Sequence, residues 1–228
     1  MSRFFDKNSD LLLSIFIIAA VLALNFTAHS SVSDAMASQK QTPILCVKTD
    51  RSVISITFDV KSGCDTERIM KELGEYKASF FVSRGFLEQN PEEVRALISG
   101  GHSVGILESG LKGKSREKTL DTLTQDIRLF SEKTDCTCRL VRFENNIYDG
   151  KSVNSAFTLG LYPIQWSADS TADNFSQGDI VFANCTDSIS ELINKIKKDG
   201  CEPAAVDDII IKNPYYVDIN GVMQSGVI

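Results

Sequence analysis

The chain has 228 residues, 43% hydrophobic and 24% charged, which is enough for one domain with a sizeable core and too apolar for disorder along the whole length. A formal net charge of -6 excludes a general electrostatic affinity for nucleic acid, so none is expected as a partner.

After a short N-terminus (residues 1–10, on the cytoplasmic side), residues 11–28 are uncharged and open with the run LLLSIFIIAAVLAL, at the lower edge of what crosses a bilayer as a helix. The rival reading is a cleaved signal peptide, but its small-residue sites around Ala35-Met36-Ala37 fall well past the apolar run. Arg3 and Lys7 precede the segment and Asp6 and Asp10 offset them, so the charge signal for orientation is weak. The expectation is an uncleaved transmembrane anchor, a small-residue-rich stalk over residues 29–45, and a domain outside the cytoplasm. All six cysteines, Cys46, Cys64, Cys136, Cys138, Cys185 and Cys201, follow the anchor, where disulfides are permitted. Their spacing fits no zinc pattern, and bridges and buried thiols both remain open.

From there, short apolar runs alternate with helical patterns, as in β/α units around a largely parallel sheet. Strands are predicted at residues 53–58 and 78–82, with a helix between them carrying Ile69, Met70 and Leu73. Asn90-Pro91-Glu92-Glu93 reads as a capped helix start, Gly100-Gly101 as its end, and 102–107 as a strand. Ser115 caps a long helix with Leu120, Leu123, Ile127 and Phe130 along one stripe. Further strands are predicted at 139–142, 162–166, 179–183 and 203–206. A last helix is predicted from Ser188, with Glu191 completing its capping box and Ile189, Leu192, Ile193 and Ile196 inward. Roughly seven strands suit a distorted barrel or an open doubly wound sheet equally. The domain is bounded at 46–212, with 213–228 as a C-terminal extension packed by Tyr215 and Tyr216.

In such folds ligands gather at the C-terminal ends of parallel strands. The residues there are Asp59, Glu108, Arg142, Glu144, Asp169, Asp173 and Asn184; with Trp166 they suit a polar pocket for carbohydrate, or are plain loop-end residues.

The pieces Thr57-Phe58-Asp59, Ala78-Ser79-Phe80-Phe81-Val82, Gly101-His102-Ser103-Val104-Gly105, Arg142, the run Gly160 to Asp169 and Gly178-Asp179-Ile180-Val181 occur in one order over about residues 53–210. In that order they resemble the polysaccharide deacetylase family (the NodB-homology domain), in particular its sporulation-associated, membrane-anchored branch. The resemblance implies a distorted (β/α)7 barrel, here preceded by one transmembrane helix. It also implies metal-assisted removal of acetyl groups from N-acetylated glycans, with one aspartate and two histidines holding the ion, an aspartate base and a histidine acid.

Carried over position by position, the pattern is broken. Asp59 matches the base, but Val60 stands at the metal aspartate, and Leu107 and Leu111 stand at the two histidines. Arg142 is kept without its proline and tyrosine neighbours. Asn184 replaces the acid, leaving Asp169 with no histidine to orient. Aliphatic side chains have no lone pairs, so no metal and no other cofactor is expected. The three aliphatics are expected to become extra core, with Asp59, Arg142, Trp166 and Glu144 as the candidate ligand groove and Glu108 pointing away from it. The domain reads as catalytically silent, binding a glycan strand or an envelope protein in cell-wall or spore-envelope assembly. The alternatives are a purely structural membrane-anchored interaction domain, and an active deacetylase whose divalent ion, such as zinc, calcium or magnesium, sits in a site rebuilt from Asp59, Glu108, Glu144 and Asp173.

Overall fold

The structure, a computed structural model, describes residues 42–212 and 214–226. The predicted anchor and most of the stalk lie outside them. Among the described residues no helix is long and apolar enough to cross a membrane.

The chain begins with β1 (Cys46–Val47) and the long β2 (Val53–Val60), then α1 (Thr66–Leu73), β3 (Ser79–Ser83), α2 (Arg84–Gln89), α3 (Pro91–Ser99) and β4 (Ser103–Glu108). It continues with α4 (Arg116–Thr134), β5 (Leu140–Phe143), α5 (Gly150–Thr158), β6 (Tyr162–Pro163), β7 (Ala168–Asp169) and β8 (Ile180–Ala183). Last come α6 (Ile189–Lys198), β9 (Glu202–Pro203), α7 (Val206–Ile209), β10 (Tyr215–Val217) and β11 (Val222–Ser225).

The main sheet runs β6-β5-β4-β3-β2-β8-β7, with β9 also on β2, and its pairs are parallel. Covered on both faces, β2 to β5 are almost wholly buried, which explains their continuous apolar runs. Chain length then forces curvature. Six strand spacings of a flat sheet would put β6 and β7 about 29 Å apart. The five Cα steps from Pro163 to Ala168 reach at most about 18 Å. The sheet therefore curls on itself, and the open doubly wound alternative falls away.

The seam left between β6 and the β7–β8 side is stitched from below by the start of the domain. Ile44 N–H donates to Pro163 O at 2.8 Å, Gln165 N–H donates to Ile44 O at 2.8 Å, and Val47 N–H donates to Gly178 O at 2.9 Å. Gly178 has φ +84°, and a Cβ there would meet the Val47 carbonyl oxygen at 1.8 Å, so only glycine permits this stitch. Gly105 is constrained differently: a Cβ on it would lie 2.6 Å from Leu140 Cβ and O across the β4–β5 pair. Two of the motif glycines thus serve close backbone approach. The C-terminal stretch forms a β10–β11 hairpin, and β11 pairs with β1 in a three-stranded sheet. Tyr215 packs on Tyr162, while Tyr216 is exposed.

Several predicted caps work differently. Ser115 does cap α4, accepting from Lys118 N–H. Asn90 makes no side-chain cap to α3, because it already ends α2, a helix the periodicity did not show. Glu93 accepts instead from the Thr66 hydroxyl. Ser188 does not cap α6 either; Glu72 of α1 accepts from the Ile189 and Ser190 amides and ties the two helices together. The buried stripe of α4 is Thr119, Leu123, Asp126, Phe130 and Thr134, so Leu120 and Ile127 lie on its shoulder. The strand predicted at 162–166 is regular only over Tyr162–Pro163. That predicted at 203–206 gives way to α7.

Candidate functional site

The C-terminal ends of β2, β5 and β8 converge on one polar group of residues. Register puts Asp59 opposite Phe81, Phe81 opposite Gly105, Ser83 opposite Leu107 and Leu107 opposite Arg142, so these residues share the inner face of the curl. Arg142 is fully buried there. Its guanidinium donates to Asp59 Oδ1 at 3.2 Å, Thr57 Oγ1 at 2.8 Å, Gln165 O at 3.4 Å and, through Nε, Ile164 O at 3.3 Å. It also lies over the Phe81 ring, 4.1 Å from the centroid, and 5.3 Å from that of Trp166.

Burial pulls the Arg142 pKa down to about 10, against the opposing pull of Asp59, which leaves the side chain charged at neutral pH. Burial likewise raises the Asp59 carboxyl, more than the Arg142 charge lowers it. Both partners carry a desolvation cost that their contact only partly offsets.

Above Asp59 lies a cavity of about 310 Å³, lined by Asp59, Lys61, Asn145, Phe182, Asn184 and Thr186 among others. The Cys64–Cys185 disulfide forms part of its wall and joins the loops after β2 and β8. Cys46, Cys136, Cys138 and Cys201 are free thiols. Of the candidate groove, Asp59 faces this cavity. Arg142 lies beneath it, and Trp166 is half-buried and stacked on Phe182 at 4.8 Å, so the phenyl ring rather than the indole lines the wall. Glu144 accepts from Lys61 Nζ at 2.6 Å across the mouth. Asn184 is on the rim. Asp169 is exposed, and hydrogen bonds from the Thr171 hydroxyl and amide hold its carboxyl below the usual range.

Val60, Leu107 and Leu111 are all buried members of the apolar core, with exposures of 0%, 6% and 1%. Three hydrocarbon side chains do not fit a divalent ion. The four carboxylates of the rebuilt-site alternative are engaged separately. Asp59 pairs with Arg142, Glu144 with Lys61 and Glu108 with Asp126, while Asp173 is exposed. Among the described residues no group of three or more His, Cys, Asp or Glu could hold a metal ion. His102 is buried; its Nδ1 accepts from Ala78 N–H, and burial with the Lys77 charge pulls its pKa down to about 4, so it is a neutral packing residue.

Glu108, adjacent to Leu107 on β4, meets Asp126 of α4, which in turn accepts from Arg84 at 2.8 Å. These residues line a second cavity, of about 300 Å³, which Glu144 also borders. Burial first, and Asp126 second, push the Glu108 carboxyl up to about 9. Asp126 could have been noticed in the sequence, since it sits three residues after Leu123 and four before Phe130 on the buried stripe. Lys61 follows directly on the first motif, and only the pairing across the mouth gives it significance.

Residues 47–164, just over half of the chain, match the model of the polysaccharide deacetylase family. The chain belongs to that family. The fold is similar to that of a carbohydrate esterase family 4 pseudoenzyme from Bacillus anthracis, with 18% identity, a TM-score of 0.67 and coverage of 74% of this chain and 69% of that one. A mutant of the same pseudoenzyme with restored enzymatic activity is similar at 18% identity and a TM-score of 0.66, covering 74% of this chain and 71% of that one. The chitin deacetylase of the fungal pathogen Colletotrichum lindemuthianum is similar at 18% identity and a TM-score of 0.65, over 77% of this chain and 95% of that one. No curated protein matches.

Two stability predictions follow from the buried charges. Asp59→Asn removes the counter-charge of a fully buried guanidinium and should destabilise the protein by about 3–5 kcal/mol in urea unfolding. For Glu108 the folded-state pKa is raised, so its contribution is complete below the ordinary value of 4.5 and declines as pH rises toward about 9. Unfolding midpoints measured across that window should fall with pH, and Glu108→Gln should flatten the slope.

Proposed function

We propose that this polysaccharide deacetylase domain is catalytically silent and binds a glycan strand, displayed outside the membrane on its N-terminal segment in cell-wall or spore-envelope assembly. The observation that carries the reading is the chemistry of the replaced positions: Val60, Leu107 and Leu111 offer no lone pair, and all three are buried in the core. Asn184 has no proton to donate as an acid near neutral pH. Without a Lewis acid or an acidified water, Asp59 has nothing to activate, and its carboxylate is in any case held by Arg142.

A binding role is supported by the cavity above Asp59, where Asn145, Asn184, Ser62 and Thr186 offer hydrogen bonds beside the Phe182 ring. That mixture suits saccharide hydroxyls and an apolar sugar face. An envelope protein docked at the same mouth is the second form of the reading, and the sporulation setting rests on the resemblance of the anchored branch.

The test is calorimetric titration of the full chain with chitohexaose, together with acetate release in the presence of added zinc. Saturable binding with no acetate released is expected. Zinc-dependent acetate release would overturn the silent reading, and absence of any saccharide binding would remove the glycan as ligand.

A further inference from the structure

The two cavities share no lining residue, yet they meet at a single ion pair. Glu144 borders one, and Lys61 borders the other. Their side chains come from the loops after β5 and β2, strands separated in the sheet by β4 and β3, and they close to 2.6 Å. Both charges act on the Asp59 carboxyl, so the pair lies in its neighbourhood. Glu144 opens a 3-10 turn over Glu144–Asn146 in which Asn145 and Asn146 have φ of 54° and 60°. Asparagine is a residue type that tolerates the left-handed region, and the turn is tied by Ile147 N–H donating to Glu144 O at 3.0 Å and by Lys61 on Glu144.

We propose that Lys61 and Glu144 form a strap across the barrel mouth which divides the groove and must open before an oligosaccharide can lie along it. Each cavity alone is near 300 Å³, the lower end for a small-molecule site, and the strap joins a residue bordering one to a residue bordering the other. The Lys61 side chain is 51% exposed, so the pair is weak and salt-screened, and a ligand of modest affinity can displace it. The inference rests on the glycan reading for its ligand but not for its motion.

The test uses the full chain and two readouts. Without any ligand, hydrogen exchange at the Ile147 amide should quicken several-fold in Lys61→Ala, in Glu144→Gln and in about 0.5 M salt, and the charge swap Lys61→Glu with Glu144→Lys should restore slow exchange. Apparent affinity for chitohexaose should tighten about 3–10-fold in the single variants, because the closed fraction no longer taxes binding. Exchange indifferent to both substitution and salt would overturn the strap, and so would faster exchange with saccharide binding unimproved. If no form binds chitohexaose, the glycan reading fails by itself, and exchange still decides whether the strap opens.

Discussion

A guanidinium with no exposed surface has to be supplied with charge and with hydrogen-bond acceptors, and the interior of this domain is arranged around that requirement. Arg142 of β5 takes Asp59 and Thr57 from β2 and the carbonyls of Ile164 and Gln165 from the seam beyond β6. Those partners come together only if the sheet curls, because β4 and β3 lie between β5 and β2. The hub and the curvature depend on each other, and the aromatic faces of Phe81 and Trp166 close off the remaining sides of the cation.

The same hub accounts for the part of the family's frame that is present. Asp59 is retained by its buried partner whether or not an ion lies nearby. The positions the resemblance assigns to metal ligands carry no such obligation to Arg142, and valine and leucine stand there. Burying each such side chain contributes on the order of 1.5–3 kcal/mol. Packing and metal ligation are competing uses of each of these positions, and here each side chain packs in the core.

Much of this was legible in the sequence. The β/α alternation, the strands predicted at residues 53–58 and 102–107, and the α4 cap follow from periodicity and cap chemistry that act locally. Choosing between barrel and open sheet was not possible from pattern, because curvature comes from the short run between Pro163 and Ala168. The two-residue strands β6 and β7 carry too little pattern to be recognised separately. The cap of α6 was hidden for a related reason: Glu72 stands far from Ser188 in the chain and reaches the helix only after folding. Arg142 sits where strand-end reasoning puts it, but reading a residue at a strand end does not tell whether it faces solvent or supports the floor. Lys61 and Glu144 belong together through a contact over 83 residues, which no local rule reveals.

Metal content tests the central claim most directly. The full chain, incubated with excess zinc, passed over a desalting column and assayed by plasma mass spectrometry, should retain far less than one equivalent. One tightly held equivalent in the unaltered protein would contradict the account, since it would place donor atoms where only hydrocarbon is found.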